Sequence, residues 1–436
     1  MKIRLFNARI LTMEENRSIF HGEIHIEDNK IVSVEEYPSD SLAVNQPKKE
    51  NSHQTVWDRE IDCMENLLMP GFKDAHTHSA MTLMRSLADE MPLQEWLETK
   101  IFPLEAKLTP EDIYQFTQLA ILEYVTSGIT SVFDMYIMPD AVAKACDDMG
   151  MRCVLVSGLN NFTSSISQTE EEYLKWNNKD SLVSYKLGCH AEYTCSKELL
   201  QQLSDLAKKY RAPVFMHMSE TEKEVEECVE RYGMTPPVLM NSMGMFDYSG
   251  GIYHGVHLTE EDIAILKDKN VAVIINPASN AKLASGMAPI KTLLENQITV
   301  AIGTDGASSN NCLDMFREMF LVVAFSNLRE KDAASVKAWD ILKMATVNGA
   351  QSMGLDNADV IAQGKLADII MIDLNQPNMQ PIHNIENNLV YSGSKLNVKM
   401  TMINGKILYE NGVFNFNTEC DIIYNSCKEI VKRLLR

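Results

Sequence analysis

Four histidines and two acids stand where they could do chemistry together. Asp-Ala-His-Thr-His sets His76 and His78 two residues apart. His-Met-Ser-Glu sets Glu220 three residues after His217, His254 opens His-Gly-Val-His, and Asp305 sits in Gly-Thr-Asp-Gly. On a strand, residues i and i+2 face the same way, so both rings of His-x-His can reach one ion. Alone that pair is a weak signal, since two ordinary polar loop residues look the same. Adding His217 and Asp305 gives three imidazoles and a carboxylate, a borderline-soft donor set that suits Zn²⁺, with Fe²⁺ or Ni²⁺ also possible. A divalent ion there lowers the pKa of water from about 16 to about 7, so hydroxide is available at neutral pH. Asp305 can accept that proton while ligating. His254 can aim the attacking oxygen, or simply donate to backbone. Glu220 can hand a proton to a substrate atom that must become electron-rich. It also opens SETEKEVEE, a charge run of the kind that coats a wet helix face, and spacing alone does not choose between the two.

For these side chains to meet, strands must deliver them to one place. Between residues 67 and 359, short β-rich apolar runs alternate with longer helical patterns such as EDIYQFTQLAILEYVTSG and SKELLQQLSDLAKKY, the second opened by a Ser N-cap. Eight runs read as strands: 71–76, 130–134, 152–158, 185–190, 213–217, 250–254, 271–275 and 299–305. Alternating β and α argues for a parallel sheet, and eight units of about 36 residues suit a (β/α)8 TIM-type barrel, with a doubly wound open sheet as the alternative. Active sites of barrels lie where strands end. Six of the ten histidines (His76, His78, His190, His217, His254 and His257) fall at or just beyond those ends.

Both termini differ from this middle. Residues 1–66 carry period-2 patterning (Ile24, Ile26; Ile31, Val32, Val34), and LADIIMIDL, VKMTMING and KILYENG repeat the style near the other end. The expectation is one small β-sandwich domain from 1–66 plus 360–436 around a barrel domain of 67–359, rather than two separate appendages. Residues 38–55 read as a polar loop, and the final IIYNSCKEIVKRLLR has helical spacing.

Composition narrows the function classes. The 436 residues are 45% hydrophobic, 23% charged and 7% aromatic, which is globular usage. The net charge of −20 repels phosphate backbones, so nucleic acid is an unexpected partner. No apolar stretch reaches the roughly 18 residues of a membrane span, and the charged start lacks a signal peptide's apolar core. Nine cysteines without a C-x-x-C pair read as reduced thiols in a cytoplasmic protein. His190-Ala-Glu192 imitates the H-x-E of an unrelated zinc deaminase fold, but the P-C-x-x-C that fold also needs is absent.

The motifs MPGFKDAHTHSAMTLMRSLADEMPLQEWLETKIFPLEAK, HMSET, HGVHL, NPASNAKLASGMAPI, GTDGASSNNCLDMFREM, NGAQSMG and GKLADIIMIDL together resemble the amidohydrolase superfamily. Within it they resemble the cytosine-deaminase-like branch, nearest the 5-methylthioadenosine/S-adenosylhomocysteine deaminase group. NPASNAKLASG followed by GTDGASSNN is the specific part, and the resemblance spans nearly the whole chain. It implies a barrel flanked by a β-sandwich from both termini. It implies one divalent metal, usually zinc, held by His76, His78, His217 and Asp305, with Glu220 and His254 handling protons and Asp305 passing the water proton to the leaving amine. The implied activity is hydrolytic deamination of adenine nucleosides (5′-methylthioadenosine, S-adenosylhomocysteine, adenosine), a hydrolysis of non-peptide C–N bonds in cyclic amidines, with a homo-oligomer as the common assembly. Guanine or cytosine deamination and triazine chlorohydrolase or aminohydrolase chemistry use the same metal set and stay open. A non-catalytic scaffold would lose ligands, and all four are present here.

Substrate contacts also come from the resemblance. Glu105 would bind ribose hydroxyls, or is a helix-start charge. His190 would hydrogen-bond a purine ring nitrogen. Trp96 lines the base or thioether pocket, or is core. Ser157 stands where relatives that take the homocysteine tail carry arginine, and NNFTSSISQTEEE adds no Arg or Lys before Lys175. Either another cation takes a substrate carboxylate, or the substrate is neutral.

Overall fold

The computed structural model describes residues 1–38, 56–87, 89–177 and 181–435. The polar loop expected at 38–55 lies, but for Pro38, outside them. Eight parallel strands form the middle: β1 (Phe72–His78), β2 (Ile129–Asp134), β3 (Arg152–Val156), β4 (Val183–Ala191), β5 (Val214–Met218), β6 (Gly250–His254), β7 (Val271–Ile275) and β8 (Val300–Ile302, resumed at Asp305–Gly306). Each strand pairs with the next. The first half of β8 pairs with β7, and its second half pairs with β1 through Asp305↔Thr77 and Gly306↔His78. The chain therefore closes the ring, and the open-sheet alternative falls. All eight expected strands exist, with ends shifted by up to a few residues.

Local chemistry explains the elements. The helix Pro110–Thr126 starts with proline in its first turn and a reciprocal cap in which Thr109 and Asp112 satisfy each other's backbone N–H. Ser196 caps Lys197–Tyr210 by accepting from Leu199 N, and Leu200, Leu203 and Ala207 bury one face. Inside the barrel, Ala75, Phe133, Val154, Phe215, Tyr253, Ile274 and Ala301 pack into a solid plug. That plug is a floor beneath the strand ends, as barrel interiors require.

The termini share one sheet. In order it runs Val413–Phe414, Lys406–Glu410, Val398–Ile403, Ile369–Ile372, Leu67–Pro70, Lys2–Ile10, Phe20–Glu27 and Lys30–Glu36, with Arg59–Asp62 also beside Lys2–Ile10. Leu67–Pro70 joins strands from both ends of the chain and leads through Gly71 into β1. Its own core holds Ile3, Leu5, Ile24, Ile26, Leu68, Ile369 and Met400. Two independent appendages are thus excluded. The final helix, Cys420–Leu434, leans back on Pro110–Thr126, where Arg433 pairs with Asp112 at 2.5 Å. All nine cysteines are free, seven of them buried. No helix among the described residues is long and apolar enough to cross a membrane.

Candidate active site

The pleat of β1 points His76 and His78 into the same space. His76 is wholly buried, stacks on Tyr253 with ring centroids 3.7 Å apart, and has no hydrogen-bond partner on either ring nitrogen. His78 turns Nδ1 to the Met135 carbonyl, and His217, from β5, turns Nδ1 to the His190 carbonyl at 2.8 Å. A backbone acceptor takes the Nδ1 proton and turns Nε2 inward in both. Burial alone would lower His78, but the hydrogen bond and charge of Asp305 raise it to about 9, so a bound ion would take the place of its Nε2 proton. Asp305 Oδ1 lies 3.3 Å from His78 Nε2 and 3.7 Å from His76 Nε2. The His217 ring centroid lies 4.8 Å from that of His76 and 5.4 Å from that of His78. Donor atoms of His76, His78 and Asp305 lie within 4.8 Å of one another, as do those of His76, His217 and His254.

This donor set fits a divalent ion. Two orphaned nitrogens on a fully buried imidazole cost free energy, and a cation coordinated by one of them removes part of that cost. Burial pushes the His76 and His217 rings well below their usual pKa, reinforced by the neighbouring rings, so both stay neutral as ligands must be. Burial alone would raise the Asp305 carboxyl, but the hydrogen bond and charge of His78, then His76 and His254, hold it well below the carboxylate range. Asp305 sits at φ +60°, an uncommon conformation for a residue with a side chain. Its Oδ1 accepts from Gly306 N at 2.7 Å and its Oδ2 from Ser279 Oγ at 2.6 Å.

The proton-handling candidates meet at the same place. His254, at the end of β6 and at φ +75°, turns Nδ1 to Asn280 Oδ1 at 2.8 Å. Its Nε2 then faces Glu220 Oε2 at 3.7 Å and Asp305 Oδ2 at 4.0 Å. Glu220 is buried, and its Oε1 accepts from Ser285 Oγ at 3.1 Å. Burial raises its pKa, partly offset by His254, which suits a carboxyl that must carry a proton. The charge run SETEKEVEE is therefore not one wet face: Glu220 and Glu224 are buried while Glu222 and Glu226 are exposed.

Above these groups opens a cavity of about 1020 Å³, and all four substrate candidates line it. Glu105 lies beside the Tyr136 hydroxyl, which has no hydrogen-bond partner, and burial raises the carboxyl's pKa. Burial, then the charge of His78, lowers His190 to about 4, so its ring is neutral at pH 7. Trp96 satisfies both expectations, lining the cavity and belonging to the main core. Ser157 Oγ lies 3.2 Å from Thr169 Oγ1. Nearby on that wall, Glu172 accepts from Tyr185 Oη at 2.6 Å and from Gln168 Nε2 at 2.9 Å. Lys175 pairs with Asp140 at 2.7 Å and is not a lining residue. Among the described lining residues the cations are Lys223 and Arg231, paired with Glu227 at 3.6 Å and Glu192 at 2.5 Å. Glu192 of the misleading H-x-E is thus an ion-pair partner.

Sequence reasoning missed the supports. Glu224 accepts from the backbone N–H of Ser219 at 2.7 Å and Glu220 at 2.9 Å, fixing the turn after β5. The pattern Thr221-Glu-Lys-Glu224 carried that signal, because a glutamate at the third helical position folds back on preceding N–H groups. Ser279, Asn280 and Ser285 lie in NPASNAKLASG, which marked the resemblance without receiving a role. His257 donates to the Ser285 carbonyl at 2.8 Å.

Residues 67–408 match the Amidohydrolase family. Over 445 aligned residues the chain is 36% identical to a 5-methylthioadenosine/S-adenosylhomocysteine deaminase of Thermoanaerobacter pseudethanolicus, covering 99% of this chain and 100% of that one. A protein of the same name from Syntrophomonas wolfei is 42% identical over 386 residues, covering 87% and 89%. Among solved structures, an adenosine deaminase from Xanthomonas campestris with bound zinc superposes with a TM-score of 0.90 at 29% identity, covering 99% and 98%.

Proposed function

We infer the function from one premise: this chain belongs to the amidohydrolase family. It is a hydrolase acting on C–N bonds, and its reaction is the hydrolytic deamination of adenine nucleosides to the inosine analogue and ammonia. Relatives that carry this activity in their names, along nearly the full length, support that reading. The observation that carries it is the gathering of His78, His217, Asp305, Glu220 and His254 on the floor of one cavity roomy enough for a nucleoside, with His76 buried against them. The same reading takes 67–359 as the catalytic unit, 1–66 with 360–436 as its companion, zinc as the ion, the cytoplasm as the compartment and a homo-oligomer as the assembly.

His76, His78, His217 and Asp305 would hold the ion, which when bound supplies hydroxide near neutral pH. Asp305 accepts the water proton, and Ser279 holds its carboxylate through Oδ2. His254 Nε2, 4.0 Å from that oxygen, steadies the attacking oxygen in line with the ring carbon that bears the amine. Glu220, buried and inclined to keep its proton, gives it to the adjacent ring nitrogen so that negative charge does not build there. Asp305 then returns its proton to the departing amine, and the ionised Glu220 takes the hydroxyl proton as the ring carbonyl forms, which restores the acid. Glu105 takes the ribose hydroxyls, neutral His190 donates to or accepts from the purine, and Trp96 flanks the base.

The wall beside Ser157 favours an uncharged 5′ group. Its polar members are hydroxyls, an amide and the Glu172 carboxylate, and the lining cations are already paired. A steady-state panel of adenosine, 5′-methylthioadenosine, S-adenosylhomocysteine, guanine, cytosine and a chlorotriazine tests both parts. The expected result is the highest kcat/KM for the two neutral adenine nucleosides. Faster guanine, cytosine or triazine turnover contradicts the reaction, and a preference for S-adenosylhomocysteine contradicts the role given to the Ser157 wall.

A further inference from the structure

The segment Asn276–Ser285 follows β7 and touches every group that moves a proton. Ser279 Oγ donates to Asp305 Oδ2 at 2.6 Å, Asn280 Oδ1 accepts from His254 Nδ1 at 2.8 Å, and Ser285 Oγ donates to Glu220 Oε1 at 3.1 Å. Three contacts from ten residues to three different strand ends point to a common purpose. The segment is itself pinned. Ala278 N donates to the buried carboxyl of Glu318 at 2.9 Å, Lys282 Nζ donates to the Ser308 carbonyl at 2.8 Å, and the Ser285 carbonyl accepts from His257.

We propose that Asn276–Ser285 is a bracket that positions the proton-handling side chains, and that Ser285 is the positioning residue that decides which oxygen of Glu220 exchanges the proton. A serine hydroxyl donating to Oε1 makes that oxygen the less basic of the two, which favours the acid proton on Oε2. Oε2 is the oxygen on the His254 side, 3.7 Å from Nε2. The terminal torsion of glutamate is broad and roughly two-fold, so a carboxyl without this partner presents either oxygen. Ser285 is 6% exposed and Glu220 5%, so water does not replace the bond freely. His257 sets the direction of the Ser285 backbone and hence of its hydroxyl.

The inference rests on the deaminase reading, and one set of assays separates the two. Wild-type enzyme, Ser285→Ala, Ser285→Thr, Glu220→Gln and the double variant Glu220→Gln/Ser285→Ala are compared as metal-loaded proteins on adenosine. Ser285→Ala is expected to lower kcat about 10- to 100-fold, the effect of losing one buried hydrogen bond in the transition state, with KM within about twofold. Ser285→Thr keeps the hydroxyl and restores most of the rate. Adding Ser285→Ala to Glu220→Gln changes kcat no further, because the serine acts only through that carboxyl. Affinity for a nucleoside analogue with a tetrahedral hydroxyl-bearing carbon falls by the same factor as kcat/KM, while affinity for the inosine product and bound metal per chain stay constant. A Ser285→Ala enzyme that matches wild type, or a serine effect that persists undiminished in the Glu220→Gln background, overturns the bracket and leaves the deaminase reading standing. A wild type that releases no ammonia from any nucleoside overturns both.

Discussion

In the proposed mechanism the acid step rests on one carboxyl, that of Glu220. It is buried, its two oxygens have different neighbours, and its pKa lies above the ordinary range because burial penalises the charged form. Glu220→Gln preserves shape and removes the titrating proton. Turnover should fall by about 10² to 10⁴ while bound metal per chain stays unchanged, as steady-state kinetics and elemental analysis would report. Full activity in that variant contradicts the proton role. The candidate donors stood out in the sequence because three strand ends, those of β1, β5 and β8, offered histidine or aspartate together. Glu220 was ambiguous because the run around it mixes buried and exposed acids, and only the turn at Ser219, φ +54°, separates them. Ser279, Asn280 and Ser285 were invisible as partners: a hydroxyl or amide reveals its role only when the chain that faces it is in place.

Elements turn these residues into a site. The eighth strand breaks at Gly303 and Thr304, and the break is where His76 needs room. A Cβ on Gly303 would lie 2.5 Å from Asn276 Oδ1 and 2.7 Å from both Cβ and O of His76. Gly303→Ala should push the His76 ring off line, lowering metal content and turnover together. Elemental analysis showing a full equivalent with wild-type rate would refute that. One strand also carries a cost. Lys73 of β1 is wholly buried, donates to Thr130 Oγ1 at 2.7 Å, and burial lowers it to about 8. The folded state then binds this proton less tightly than the unfolded chain, so stability rises with pH between about 8 and about 10.5. Lys73→Met should stabilise the protein at pH 7 by about 3 kcal/mol at most, and the gain should vanish by about pH 10.5. Thermal melting across pH checks both sign and window; a variant less stable at pH 7, or a gain that grows with pH, contradicts it. The eight strands were legible because apolar β-runs and helical patterns alternate so regularly. Their exact ends were not, since a strand stops where its neighbour's ladder does.

At the scale of the whole molecule, a buried ion pair joins the two sheets. Arg152, at the start of β3, meets Asp368, just before Ile369–Ile372, with Nε–Oδ2 2.6 Å and a second bond of 2.9 Å. Burial alone would raise Asp368, but Arg152 holds it below the ordinary range. Asp368→Ala strands a buried guanidinium, and denaturant unfolding should show a loss of about 3–5 kcal/mol. A loss under about 1 kcal/mol would mean the joint relies on other contacts. That both termini share one sheet could be read from their matching strand and turn style. That Arg152 and Asp368, 216 residues apart, would pair could not, because long-range ion pairs leave no local pattern. The most direct measurement is a crystal structure with anomalous scattering recorded at the zinc edge. The expected result is one peak per chain, about 2.0–2.2 Å from ring nitrogens of His76, His78 and His217 and from a carboxylate oxygen of Asp305. An empty cluster in metal-replete protein, or a peak held by other residues, would contradict it.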